Sequence, residues 1–462
     1  DIRAMEPVEL MQHLRKWVPP REWDAPTPEG LGRLVAAAVA DDPSRYTSVL
    51  GALSGIEATY VRSFFEGLRQ AVESKKTFEW ALVLDLAKEV VHSPWSTPSP
   101  SGPVHDRDSD WGSTRKTIAA MIEAGLETGV SEIPISSRRT VWQILEPLAD
   151  DSDPAPEDER RYGEGGFDAV TMSINTVRGR AMHAVVKYGL WVMRQAAQTQ
   201  DKKEGFGGGA AVVPEVWPIL DDHLDVARDP SLAVRSVYGQ WFPWIHLLGH
   251  DWAASRLEKI FPREPQQAPW WTAAWIGYVM YARPFDDVLA VLLPVYRRAV
   301  HLMTPDEEPL LFGDRPSERL GEHLVTYAWR AKISVDPIDP LLEGYWSKAD
   351  GGLRRHVLSY IGRSLREWLP AELDPGVPPA LERLKVLWAF VLSKAAGQPG
   401  NDEETSELSA FAWWFSSGRF DDDWAFGQLE LVLRKTSLLD EAHLVAERLA
   451  KVADAQPLRS VR

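Results

Sequence analysis

The chain has 462 residues, 44% of them apolar and 26% charged, with a formal charge of −16 and no cysteine. That apolar share is ample for a core, and the length suits several domains or one continuous solenoid. The lack of cysteine excludes disulfides, thiolate metal sites and cysteine nucleophiles and fits a reducing, cytoplasmic setting. The acid excess opposes long-range attraction to nucleic acid and anionic membranes.

The first residues, from Asp1 through Arg3, Arg15, Lys16 and Arg21, lack the apolar run of a secretory signal. A start at Asp1, without an initiator Met, suits a processed protein or a segment of a longer one. The longest uncharged stretch, Pro265 to Ala282, is broken by Pro269. Its helical part of about 14 residues, roughly 21 Å, is too short to cross a bilayer, so no membrane partner is expected.

Apolar residues recur at spacings of three and four along nearly the whole chain, and strand-like alternation is almost absent. The periodicity predicts helices over 7–18, 28–40, 43–53, 56–73, 77–92, 111–128 and 138–149. It continues over 167–198, 213–228, 230–248, 251–260, 269–282 and 285–302. The last predicted helices cover 316–333, 339–348, 351–368, 379–396, 404–417, 421–435 and 439–454. Pro28, Pro43, Pro214, Pro230, Pro269 and Pro379 suit first helical turns, whereas Pro243 should kink or divide 230–248. Four stretches read as loops: 93–110, 150–166, 199–211 and 303–315. They suggest helical segments over 1–95, 111–302 and 316–455, or one continuous solenoid.

The predicted helix 167–198 is the longest. Ile174, Val177, Ala181, Val185, Tyr188 and Val192 form its apolar stripe; Thr176, Arg180, His183, Lys187 and Arg194 lie mainly on another side. Gly179 in mid-helix costs about 1 kcal/mol against Ala and suggests close approach by a neighbouring helix. Arg178, Arg180, His183, Lys187 and Arg194 are the candidate binding residues, because they are a cationic cluster on an acidic chain. The alternative is a solvated face paired with the acidic loop at 150–159.

Six arginines follow an apolar or β-branched residue near the start of amphipathic runs: Arg62, Arg115, Arg178, Arg235, Arg297 and Arg354. A loose fixed period marks repeat architectures. Asp229-Pro230-Ser231-Leu232-Ala233-Val234-Arg235 places an acid, a proline and Val-Arg at one start, and Asp350 with Arg354 is similar. These two starts resemble the second helix of HEAT-type repeats, in which an Asp and an Arg interact along the stack. The resemblance implies an all-α fold, an irregular α-solenoid of antiparallel helix pairs. In that setting Asp229 is expected to cap the helix holding Arg235.

Chemical motifs are weak. Asp106, Asp108 and Asp110 begin like a calcium loop, but Trp111 replaces the glycine and Thr117 the glutamate, so the acids read better as a cap. His246 and His250 share a helical face, yet the apolar surroundings suggest buried structural histidines. The glycines at 205–209 lack a following Lys-Ser or Lys-Thr, no Gly-x-Ser-x-Gly occurs, and Asp421 to Asp423 read as a helix cap. No catalytic residue, metal or cofactor is therefore expected. The 21 tryptophans, Trp241, Trp244, Trp270, Trp271, Trp275, Trp413 and Trp414 among them, read as core anchors or as aromatic anchors of a binding face.

Two segments, Ser173 to Ala181 and Phe411 to Asp421, resemble parts of the C-terminal helical-repeat regions of large bacterial anti-phage proteins, including STAND-type NTPases. The resemblance implies recognition of a foreign component by the repeats, with damage done by a separate effector. The expected function is thus a non-enzymatic scaffold for a protein partner. The alternative is a nucleic-acid-binding protein or helical enzyme using the cationic helix 167–198.

Overall fold

A computed structural model describes residues 2, 5–18, 26–93, 108, 110–164, 168–199, 211–304, 310, 313, 315–367, 377–395, 406–436 and 438–453. The described residues are all-helical, with a single isolated bridge between Val335 and Ile338 and no strand. They form two compact units, Asp1–Tyr278 and Val279–Arg462.

The first unit opens with α1 (Pro7–Lys16), α2 (Pro28–Asp41) and α3 (Pro43–Thr47), each starting on a proline whose missing N–H falls where a helix has no acceptor for it. Then come α4 (Ala58–Glu73), α5 (Trp80–His92), α6 (Gly112–Gly125), α7 (Arg138–Ala149) and α8 (Pro156–Glu164). The expected loop 150–166 therefore contains a helix; three acids in its first turn, Glu157 to Glu159, favour it electrostatically. The acids before 111 do cap: Asp108 accepts from Ser113 N and Thr114 N at 2.9 and 2.7 Å, and Asp110 from Gly112 N at 3.2 Å. Asp106 and the glycines 205–209 lie outside the described residues.

The predicted helix 167–198 is two helices, α9 (Ala169–Asn175) and α10 (Val177–Thr199). Thr176 between them is extended, at φ −114° and ψ 157°, and α10 is started by Asp153, which accepts from Val177 N at 2.8 Å. Ile174 thereby leaves the apolar stripe and is 40% exposed, whereas Val177, Ala181, Val185 and Tyr188 are fully buried. The close approach expected at Gly179 comes from α9 itself: a Cβ there would overlap the carbonyl of Ser173.

The unit continues through α11 (Val216–Asp222), α12 (Leu232–Gln240), α13 (Phe242–Leu248), α14 (His250–Ser255), α15 (Leu257–Ile260) and α16 (Ala268–Tyr281). Pro243 divides the predicted helix 230–248, sitting in the first turn of α13. The cap of α12 is Ser231, which accepts from Val234 N at 3.1 Å, and not Asp229. Asp229 instead accepts from Ser231 N at 3.1 Å and holds His223. At the crossing of α12 with α16, a Cβ on Gly239 would overlap the Ala274 carbonyl and one on Gly277 the Ser236 carbonyl, so both glycines are needed for the contact.

In this unit α2 packs on α4, α4 on α6 and α6 on α10, while α5 packs on α7 and α7 on α10. Phe64, Phe65, Leu68, Ile118 and Ile122 are fully buried between the first of these helices. Each such side chain contributes about 1.5–3 kcal/mol when removed from water.

The second unit contains α17 (Asp286–Leu302), α18 (Pro316–Trp329), α19 (Pro340–Lys348), α20 (Gly351–Glu367), α21 (Val377–Ala395), α22 (Phe411–Ser416), α23 (Asp422–Leu433) and α24 (Ala442–Ala453). Asp350 caps α20 through Leu353 N at 2.7 Å, and Asp421 caps α23 through Trp424 N at 2.8 Å, as the sequence suggests. Here α18 packs on α20, α20 on α22 and α22 on α24. Trp271, Trp275 and Trp414 are buried as expected of anchors, Trp241, Trp270 and Trp413 are half-buried, and Trp244 is exposed.

Candidate functional site

The recurrent arginines occupy comparable places. Arg62, Arg115, Arg178, Arg235 and Arg354 fall within the first five residues of α4, α6, α10, α12 and α20; Arg297 lies deep inside α17 and is exposed. Three of them reach forward to an acid that precedes a later helix of the same unit. Arg115 Nε lies 2.6 Å from Asp151 Oδ2, and Arg178 Nε lies 3.3 Å from Asp229 Oδ2. In the second unit Arg354 Nη1 lies 3.1 Å from Glu407 Oε2. Arg62 reaches back to Glu29 of α2. Arg235 is buried and finds carbonyls instead, those of Lys259 and Leu224.

The candidate cations of α10 are already paired. Arg180 Nη1 donates to Glu123 Oε2 at 2.8 Å. Lys187 Nζ bridges Glu123 Oε1 at 3.1 Å and Glu127 Oε1 at 2.6 Å. Arg194 Nη2 donates to Glu132 Oε1 and to the Leu126 carbonyl, both at 2.7 Å. These partners come from α6 and the turn after it, since Glu123 and Glu127 stand one helical turn apart. Of these α10 cations only Arg178 meets the acidic segment 150–159, donating to the carbonyls of Asp151 and Pro154 at 2.6 and 2.8 Å. Arg178 therefore ties α10 to the loops around it, and Arg180, Lys187 and Arg194 tie α10 to α6.

Burial pushes the Glu123 carboxyl up, but Lys187, His183 and Arg180 together hold it below the ordinary carboxylate range. Lys187 is held above the usual lysine range by Glu123 and Glu127 despite its own burial. The two groups stabilise each other's charged forms, so at neutral pH this is a permanent ion-pair network.

His183 is buried behind that network. Its Nδ1 accepts from Trp241 Nε1 at 2.7 Å, which leaves the proton on Nε2, 2.9 Å from Ser173 Oγ. The Ser173 hydroxyl in turn donates to the Val170 carbonyl at 2.7 Å. The histidine thus donates to the serine and cannot take its proton, the reverse of what a Ser–His nucleophile requires. Burial lowers His183 to about 4, with Glu123 opposing and Arg180 and Lys187 assisting, so it is neutral at physiological pH.

Between α4, α6 and α10 lies an open cleft of about 270 Å³, lined by Arg69, Glu73, Glu123, Glu127, Arg180 and Lys187 among others. Its charges alternate in sign, and a ligand there would have to exchange one ion pair for another. The partners Glu123, Glu127 and Glu132 were not among the sequence candidates, although the spacing of four between the first two was a signal for a cation-binding helical face.

Elsewhere, His246 and His250 lie with ring centroids 4.4 Å apart and their planes tilted by 52°. His246 is buried, but His250 is exposed, which corrects the expectation that both are buried, and Asp251 beside it is exposed too. Among the described residues no three His, Asp or Glu side chains gather as a metal-binding group, and no helix is long and apolar enough to cross a membrane. No protein family matches this chain, nor does any curated protein or solved structure.

Proposed function

We propose that this chain is a non-enzymatic, HEAT-like helical-repeat scaffold that binds a protein partner. The repeats are antiparallel helix pairs in an irregular α-solenoid, and the scaffold serves as the recognition part of a bacterial anti-phage defence system. The observation that carries the reading is the recurring forward link: Arg115 to Asp151, Arg178 to Asp229 and Arg354 to Glu407. An arginine–carboxylate pair reaching forward from the first turn of a helix, present in both units, is what a sequence built from a duplicated helix pair would retain. The successive packing of α2, α4, α6 and α10 supports it. The defence setting rests on the resemblance of Ser173 to Ala181 and Phe411 to Asp421 to anti-phage repeat regions.

A tagged chain used as bait in phage-infected and uninfected bacterial cells tests this. The expected result is a protein recovered after nuclease treatment, enriched on infection, that rebinds the purified chain. Recovery abolished by nuclease would favour the nucleic-acid alternative, and failure of the purified proteins to rebind would overturn the reading.

A further inference from the structure

A second cavity, of about 540 Å³, lies between α2, α4 and α6. Three cations line it, Arg33, Arg62 and Lys116, against two carboxylates, Glu29 and Glu66. Both carboxylates are committed: Glu29 to Arg62, and Glu66 to Arg69 and Gln70 at 2.6 and 2.8 Å. Lys116 is half-buried and forms no ion pair with any described residue; its Nζ donates to the Asn175 carbonyl at 3.2 Å. Arg33 is likewise without an ion pair among the described residues. On a chain with a formal charge of −16, a half-buried cation that pairs with no carboxylate of its own chain, in a cavity whose two carboxylates are held by other groups, is a departure that asks for an anion.

The anion would not be held by the start of α6, whose first amides are taken by Asp108. It would be held by side chains: the Lys116 ammonium, the Arg33 guanidinium at the rim, and the Ser113 hydroxyl on the same wall. Glu29 and Glu66 oppose a stiff phosphate backbone laid through the cavity but leave room for one flexible carboxylate side chain placed at Lys116. We propose that this cavity receives a carboxylate side chain of the protein partner, with Lys116 as the cation that pairs with it. The proposal rests on the protein-binding reading above and names the chemistry that the partner must present.

The electrostatics of Lys116 agree. Burial lowers it from the usual lysine range; Arg180 of α10 and Arg62 of α4 press it further down, while Asp153 and Asp108 oppose them. A bound carboxylate would favour the charged amine and raise it again.

The test uses the full chain with lysines labelled at ¹³Cε, the Lys116 signal being assigned by its loss in Lys116→Arg. The probe is acetylated hexaglutamate amide at low salt, compared with its hexaglutamine counterpart and a single-stranded oligodeoxynucleotide. The Lys116 signal should titrate below the range of the other lysines and move upward with hexaglutamate alone. Lys116→Gln should weaken hexaglutamate binding at least about tenfold, as loss of a charge-assisted hydrogen bond does. Arg434→Gln, at an exposed pair with Glu430, should leave binding unchanged. An unmoved Lys116 signal, equal binding by Lys116→Gln, or an oligonucleotide that binds as well as the peptide would each overturn the proposal. A captured partner that binds wild type and Lys116→Gln equally would sink this site while leaving the scaffold reading in place.

Discussion

Arg178 Nε lies 3.3 Å from Asp229 Oδ2, and the same carboxylate oxygen accepts from His223 Nδ1 at 2.7 Å. Asp229 is buried, and burial alone would raise its carboxyl; the His223 hydrogen bond and the Arg178 charge hold it below the ordinary range instead. An acid that looks from the sequence like a helix cap is in fact the far end of a link from an earlier helix.

That difference has a measurable size. Ser231→Ala removes a cap and should cost about 1 kcal/mol. Asp229→Ala strips a buried ion pair of its anion and leaves Arg178 and His223 facing each other, and should cost about 3 kcal/mol or more. Urea midpoints at constant slope read both values. Equal, small losses for the two variants would mean that Asp229 acts only near α12.

The crossing of α12 with α16 predicts a steric effect. Gly277→Ala places a Cβ into the Ser236 carbonyl, which is backbone and cannot rotate away. The cost should be about 2 kcal/mol. Gly427→Ala, where a Cβ meets nothing within 4 Å, serves as the control and should match wild type or exceed it. Thermal denaturation of the two variants decides it.

How much of the molecule was legible in the sequence depends on the distance over which each feature is decided. Helix existence and the arginine recurrence were legible, because an apolar period is a local property and a repeated residue is visible wherever it stands. The break at Thr176 was not: Ile174, Asn175, Thr176 and Val177 are only weak helix formers, which does not by itself end a helix, and the new start is fixed by Asp153, which lies in another segment and accepts from Val177 N. The fate of the α10 cations was hidden in the same way. Arg180 and Lys187 look free along the chain, and only the packing of α10 on α6 brings Glu123 to both. Lys116 carried no local signal at all, since its character comes from the carboxylates that stay with other cations.

Glu407 gives the fold a pH dependence. Burial lifts its carboxyl from 4.5 to about 6, with Arg354 opposing. A folded-state value above the unfolded one means that the folded chain holds this proton more tightly. Stability from this group is therefore present at acid pH and lost as pH rises from about 4.5 through 6, by about 2 kcal/mol. Buried His183 and His323, both lowered to about 4, act oppositely and lose stability as pH falls below 6.5. The readout is accordingly the difference between wild type and Glu407→Gln. The variant should gain on wild type as pH rises from 4.5 to 7.5, and a pH-independent difference would contradict the assignment.

The central claim is that the arginine opening a stacked helix ties that helix to a later segment of the same unit, and double-mutant cycles measure that most directly. Arg115→Ala with Asp151→Ala, and Arg178→Ala with Asp229→Ala, each remove one link. Both pairs are well shielded, with side-chain exposures of 18% and 7% in the first and 14% and 3% in the second. Coupling energies of about 1–3 kcal/mol are predicted for each pair. If the two members of each pair prove additive in urea unfolding, the recurrent arginines are not links between helices, and the repeat reading of this chain is contradicted.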